Sequence, residues 1–176
     1  FRSDKITGPY VDQAGNNAVY TKQCNDLFEP VGVRLMGSYD WTGNREIRVA
    51  QGHNSAYVTE DGKIYLIYHS RLKKKKNGIP EAHEVRVQQL FVNEDGWLVA
   101  APYEYAGEEI SETGYTMEEM CGNYEFVVHN PTTYYQKVGK AVVGVMQPAK
   151  ITLNEDGSVS GDLSGNWTYE EGTPNM

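Results

Sequence analysis

The chain has 176 residues, 39% of them hydrophobic and 23% charged, enough to bury the core of one domain or of one domain and part of another. Its mean hydropathy is -0.59, and no apolar run in these residues approaches the roughly 20 residues of a membrane-spanning helix. Sixteen Lys and Arg against 24 Asp and Glu leave a net charge of -8, which argues against a phosphate-backbone surface and so against nucleic acid as a partner.

The chain opens at Phe1-Arg2-Ser3 without a start methionine or targeting segment, and it reads as a processed or cut piece of something larger. From residue 46 to 101 strand signals dominate. Ile64-Tyr65-Leu66-Ile67-Tyr68-His69 and Val85-Arg86-Val87-Gln88-Gln89-Leu90-Phe91-Val92 are rich in β-branched and aromatic residues and have no 3.6-residue period, which predicts strands. Glu-Asp-Gly recurs at Glu60-Asp61-Gly62, Glu94-Asp95-Gly96 and Glu155-Asp156-Gly157, each time between strand-like runs, and predicts three hairpins turning on positive φ angles. Residues 107–122 are acidic and turn-rich and read as a linker, with one short helix predicted near Met117-Glu118-Glu119-Met120 and Thr116 as its cap. Strand character resumes at Tyr124-Glu125-Phe126-Val127-Val128-His129 and Ala149-Lys150-Ile151-Thr152-Leu153, and a further hairpin is expected over residues 161–169. Antiparallel strands at such spacing predict an all-β fold of propeller, sandwich or barrel type, its second domain incomplete.

Chemistry-bearing residues are sparse. His53, His69, His83 and His129 stand too far apart for a zinc motif, and neither Cys24 nor Cys121 has a CxxC neighbour. In Gly52-His53-Asn54-Ser55 a glycine before a strand histidine lets the imidazole approach a backbone or pore closely, with Ser55 on the same face. Alternation in His83-Glu84-Val85-Arg86-Val87 puts Glu84 and Arg86 on one face and the two valines on the other. If the valines face the core, the Glu84/Arg86 pair faces a cleft or solvent. There a carboxylate beside a guanidinium either holds the fork rigid for a hydroxyl ligand or makes an ordinary ion pair. Lys73-Lys74-Lys75-Lys76-Asn77-Gly78 reads as a solvated loop. Glu29, Asp40, Glu81 and Glu84 include enough carboxylates for a glycosidase acid/base pair, but nothing in their spacing sets two of them across one bond. Thirteen Tyr and 3 Trp against 4 Phe supply flat faces with polar edges, suited to sugar rings and to any half-wet sheet.

Several motifs together resemble one family. They are Gly8-Pro9-Tyr10-Val11-Asp12, Gly37-Ser38-Tyr39-Asp40-Trp41, Gly52-His53-Asn54-Ser55, Asp61-Gly62-Lys63-Ile64-Tyr65, His83-Glu84-Val85-Arg86-Val87, Asn93-Glu94-Asp95-Gly96-Trp97 and Ala101-Pro102-Tyr103. The pattern is similar to the endo-acting α-1,5-L-arabinanases of glycoside hydrolase family 43. The resemblance implies the last part of a five-bladed β-propeller over residues 1–107, a linker over 108–120 and the start of an appended small β-barrel domain over 121–176. It implies an inverting, secreted enzyme acting on arabinan, whose Asp base, Glu acid and modulating Asp lie upstream. No catalytic carboxylate is then expected in this chain, which alone would be inactive and would work with a second polypeptide piece carrying the N-terminal blades. Carried over residue by residue, His53 matches a histidine that helps hold one mostly hydrated calcium ion near the propeller axis. Arg86 matches an arginine in the pocket of the cleaved sugar, with Glu84 orienting it. Gln88, where many relatives have His, departs from the pattern on the Arg86 face. Cys24 and Cys121, in different domains, are expected to stay unbridged. The competing readings are a non-catalytic carbohydrate-binding or structural module stacking sugars on Tyr39, Trp41 and Trp97, and an exo-acting arabinofuranosidase or β-xylosidase.

Overall fold

The computed structural model describes residues 1–19, 32, 34–43, 46–73, 78, 82–109, 111, 113–128, 137–138, 141–142, 145–170 and 172. Strands β1 (Arg48–Val58), β2 (Ile64–Leu72), β3 (His83–Val92) and β4 (Leu98–Ala100) form an antiparallel sheet in the order β1-β2-β3-β4. The one-turn helix α1 (Met117–Met120) follows. Then come β5 (Gly122–Phe126), the paired β6 (Lys137–Val138) and β7 (Ala141–Val142), β8 (Ala149–Leu153), β9 (Ser158–Gly161) and β10 (Gly165–Asn166). Of these, β10-β9-β8-β5 make a second antiparallel sheet. The all-β expectation holds, and the short helix stands where expected, the one helix among the described residues. Thr116 accepts the Glu119 N–H while the Glu119 carboxylate accepts the Thr116 N–H at 2.9 Å, a reciprocal cap that holds the Glu119 carboxyl below its usual range.

The three Glu-Asp-Gly segments are hairpin loops. Gly62, Gly96 and Gly157 donate their N–H groups to the carbonyls of Thr59, Asn93 and Asn154 at 2.9–3.0 Å. Their φ angles are 86°, 73° and 78°, while the preceding aspartates keep negative φ, so only the glycine supplies the left-handed residue. Gly161 is more constrained: at φ 111°, an added Cβ would clash with the Lys150 carbonyl oxygen, whereas one at Gly62 would meet nothing within 4 Å. Gly161→Ala is therefore expected to cost about 1–3 kcal/mol and Gly62→Ala about 1 kcal/mol. Urea unfolding of both variants beside the wild type checks the order.

One face of the first sheet carries the core. Leu66, Tyr68 and Leu90 are buried there, with Leu35, Met36, Ile64 and Ala100 packed on them. The register sets Tyr68 opposite Arg86, Ser70 opposite Glu84 and Leu66 opposite Gln88, so Glu84 and Arg86 share the core face. This corrects the expectation that the valines point inward. Val85 is 71% exposed and lies on the other face with Val87 and Ile67, which are also exposed. Alternation groups side chains by face, and the face that is covered is decided by the segments around residues 35–36 and 100 that fold across the Arg86 side.

The N-terminal segment docks on the β3–β4 hairpin. The Arg2 guanidinium lies 4.1 Å over the Trp97 ring and donates to the Asp95 carbonyl at 2.9 Å, so Trp97 is covered by a cation. Nearby, the buried Asp12 carboxylate accepts the Gly32 N–H at 2.9 Å, the Asn16 amide at 3.0 Å and the Asn16 and Ala14 N–H groups. These bonds, Gly32 first, hold its pKa down to about 2. An unfolded aspartate takes up its proton near pH 4 and this one near pH 2, so its stabilisation is complete above about pH 4 and lost as pH falls through about 2. Acid unfolding followed by circular dichroism is expected to show Asp12→Asn less stable than wild type at pH 7, with the difference closing across that window.

Candidate functional site

Strand β3 and its neighbours carry two constellations on opposite faces of one sheet. On the core face, Arg48 of β1, Glu84 and Arg86 of β3, and Glu104 just beyond β4 form a closed ring of charges. Arg48 reaches Glu84 through Nη1 and Glu104 through Nε, both at 2.7 Å. Arg86 meets the Glu84 carboxylate through Nη2 and Glu104 through Nε at 2.9 Å. Each carboxylate thus bridges two guanidinium groups, and Glu46 stands 3.8 Å from Arg48 at the edge. The arginines are only about one-fifth exposed, so these pairs are less screened than surface pairs and their planar forks are held in fixed orientations. Beneath them the Tyr68 hydroxyl donates to Gln88 Oε1 at 2.8 Å, and the Gln88 amide donates to the Ala101 carbonyl. Burial, reinforced by Glu104, pushes the Tyr68 phenol up to about 12 and keeps it a donor. Gln88 is therefore a buried floor under Arg86.

Glu84 and Arg86 are brought together as their spacing predicted. Arg48 and Glu104 escape sequence reading: they lie 36 and 20 residues from Glu84, and no local pattern joins them.

On the other face three imidazoles line up across β1, β2 and β3. His53 and His69 stack with centroids 4.7 Å apart and Nδ1 atoms 3.0 Å apart, and His83 lies parallel to His69 at 5.3 Å. Desolvation, then the neighbouring His53, His83 and Arg71, lower the His69 pKa. The special backbone at this point belongs to Ala50, at φ 55°, and to His53 itself, at φ 46°, where the register of β1 against β2 shifts twice; Gly52 has room for a Cβ. A left-handed φ on a non-glycine residue is costly and is held here by the bulged strand.

The resemblance assigns His53 to calcium. Calcium takes six to eight oxygen ligands, whereas the ring of His53 faces another imidazole, and among the described residues no three His, Cys, Asp or Glu side chains are grouped to hold a metal. These donors do not by themselves fit calcium. His53 and the Arg86 ring do not meet, since one is on each face. Asp40 ties the segment before β1 to the segment before β8, its N–H donating to the Met146 carbonyl and its carboxylate accepting from Gln147. Cys121 is free. Cys24, Glu29, Glu81, His129 and residues 74–77 of the lysine run lie outside the described residues.

Residues 102–176 match the C-terminal lipocalin-like domain of glycoside hydrolase family 43, a match that begins upstream of the expected linker. The chain is 40% identical over 177 residues to the extracellular endo-α-(1→5)-L-arabinanase 2 of Bacillus subtilis, covering 94% of this chain and 34% of that protein. It superposes on the endo-1,5-α-L-arabinanase of Thermotoga petrophila with a TM-score of 0.78 at 33% identity, covering 96% of this chain and 36% of that one. A family 43 glycoside hydrolase of Bacillus licheniformis gives the same TM-score, 0.78, at 34% identity over 97% of this chain and 37% of that one. The chain spans about a third of the length of these relatives. It is homologous, over nearly all its length, to the C-terminal portion of the glycoside hydrolase family 43 endo-arabinanases.

Proposed function

We propose that the chain is the C-terminal part of a secreted glycosidase that cleaves internal α-1,5-L-arabinofuranosidic bonds of arabinan with inversion. The observation that carries this reading is the match of almost the whole chain to endo-arabinanases about three times as long, two of them named as extracellular. The four-stranded sheet is then the last part of a propeller, and the uncovered face bearing Val85, Val87 and Ile67 is where upstream strands pack. The catalytic Asp base, Glu acid and modulating Asp belong to that upstream portion. One carboxyl group protonates the departing sugar oxygen while another activates a water on the opposite face of the ring. This chain contributes binding: Arg86, fixed by Glu84 and Glu104, presents Nη1 to a sugar hydroxyl, and Glu84 acts as a positioning residue.

Reducing-sugar release from linear arabinan tests the reading. The chain alone is expected to release nothing, and the chain joined with an upstream portion to release oligosaccharides whose new ends first appear as the β anomer by proton NMR. Hydrolysis by the isolated chain would sink it, as would a complete protein that removes only single arabinoses from chain ends.

A further inference from the structure

Between the two sheets lies a pocket of about 320 Å³; Arg86, Glu84 and His53 do not line it, whereas Arg48 and Glu104 of the charge ring and Tyr68 and Gln88 beneath it do. Its wall is aromatic. Tyr39 and Trp41 stand 5.4 Å apart at 57°, and Trp41 and Tyr103 stand 6.1 Å apart at 51°, so three tilted rings make a concave surface. Its rim is polar, with Arg48, Glu104 and Glu125 all lining it. Both sheets contribute, because Glu125 of β5 reaches across to accept the Thr42 N–H at 3.0 Å, and Tyr39 bridges Met146. Burial pushes the Tyr39 phenol up to about 12, so it stays protonated at any ordinary pH.

We propose that this pocket is a second saccharide-binding site, for a neutral oligosaccharide, adjoining the Arg86 ring and sharing Arg48 and Glu104 with it. Aromatic faces pack on the C–H faces of sugar rings, while carboxylates accept and Arg48 donates hydrogen bonds to hydroxyl groups. The charge pattern selects against the alternatives. Carboxylates outnumber Arg48 in the lining, which disfavours an acidic sugar. Glu104 is already neutralised by two arginines and a guanidinium stands at the rim, which disfavours a quaternary ammonium ion despite the aromatic walls. The volume sits at the small end of ligand pockets, roughly 300–1,000 Å³, so it takes one or two rings of a longer chain. Only the identity of the sugar, an α-1,5-arabino-oligosaccharide, rests on the function proposed above; the neutral-saccharide chemistry stands on the pocket.

The test is titration of arabinotriose into the full 176-residue chain, following the indole N–H resonances of its 3 tryptophans. Trp41 is expected to shift saturably. Trp97, under Arg2, and Trp167, whose Nε1 donates to Asn154, are expected to stay still. Trp41→Ala and Tyr103→Ala should each weaken binding roughly three- to tenfold, with Trp41→Phe recovering part of it and circular dichroism unchanged. Because the main reading uses the unmodified chain, it survives even if a variant fails to fold. A Trp41 shift with xylotriose but none with arabinotriose would uphold the pocket and overturn its link to arabinan. A shift with choline alone, or with no probe, would overturn the pocket itself, and arabinan hydrolysis by the assembled enzyme would then leave the proposed function standing.

Discussion

Arg86→Ala in the assembled enzyme is expected to lower kcat/KM on arabino-oligosaccharides by roughly 30- to 1000-fold while leaving the fold intact. The loss corresponds to about 2–4 kcal/mol, the range for a charged hydrogen bond made to the reacting sugar. Intact folding follows from the ring geometry, since Arg48 still pairs with both Glu84 and Glu104 at 2.7 Å when Arg86 is gone and no buried carboxylate is stranded. Arg86→Lys should recover little: an ammonium on a flexible stem cannot meet Glu84, Glu104 and a hydroxyl at once as the guanidinium fork does. Glu84→Gln should give a smaller loss, with the Arg86 charge still paired with Glu104 at 2.9 Å, and should fall mainly on KM if Glu84 only positions the fork. The checks are steady-state kinetics for wild type and the three variants, with circular dichroism. A folded Arg86→Ala enzyme within threefold of wild type would make the ring a structural ion-pair cluster and remove Arg86 from substrate binding.

The hairpins and the short helix were legible in the sequence because their signals are local. Asp-Gly places a glycine where the loop needs a left-handed residue, and Thr116 stands three residues before Glu119, the spacing of a reciprocal cap. The pairing of Glu84 with Arg86 was legible for the same reason, being a property of one strand. What covers each face was not legible. The Glu84/Arg86 face is buried because Leu35, Met36 and Ala100 fold over its lower half. The partners that turn one ion pair into a ring, Arg48 and Glu104, come from separate segments and carry no shared motif. The aromatic surface was half read. Tyr39 and Trp41 do face each other, but Trp97 is taken by Arg2 and Tyr103 stands in its place. Likewise Gly52 drew notice to the right turn of chain, although the left-handed φ angles fall on its non-glycine neighbours Ala50 and His53.

The exposed valines should distinguish a finished surface from an interface that awaits its partner. In the chain alone Val85→Asp is expected to change stability by no more than about 0.5–1 kcal/mol, because the side chain is 71% exposed and only strand propensity is altered. Leu90→Ala, at 3% exposure on the opposite face, should cost about 2–5 kcal/mol in the same urea titration. With the upstream portion present the order should reverse in its consequence for assembly. A carboxylate at Val85 or Val87 would then be buried against apolar strands without a cation, a penalty of several kcal/mol, and association should weaken at least about 100-fold. Val85→Thr, which keeps the branched shape and replaces one methyl with a hydroxyl, should weaken it by a smaller step, since an unpaired buried hydroxyl costs about 1–3 kcal/mol. Sedimentation of mixtures of the two portions, with arabinan hydrolysis as a second readout, measures this directly. If Val85→Asp and Val87→Asp assemble and hydrolyse as wild type does, upstream strands do not pack on this face, and the four-stranded sheet is the outer wall of the molecule.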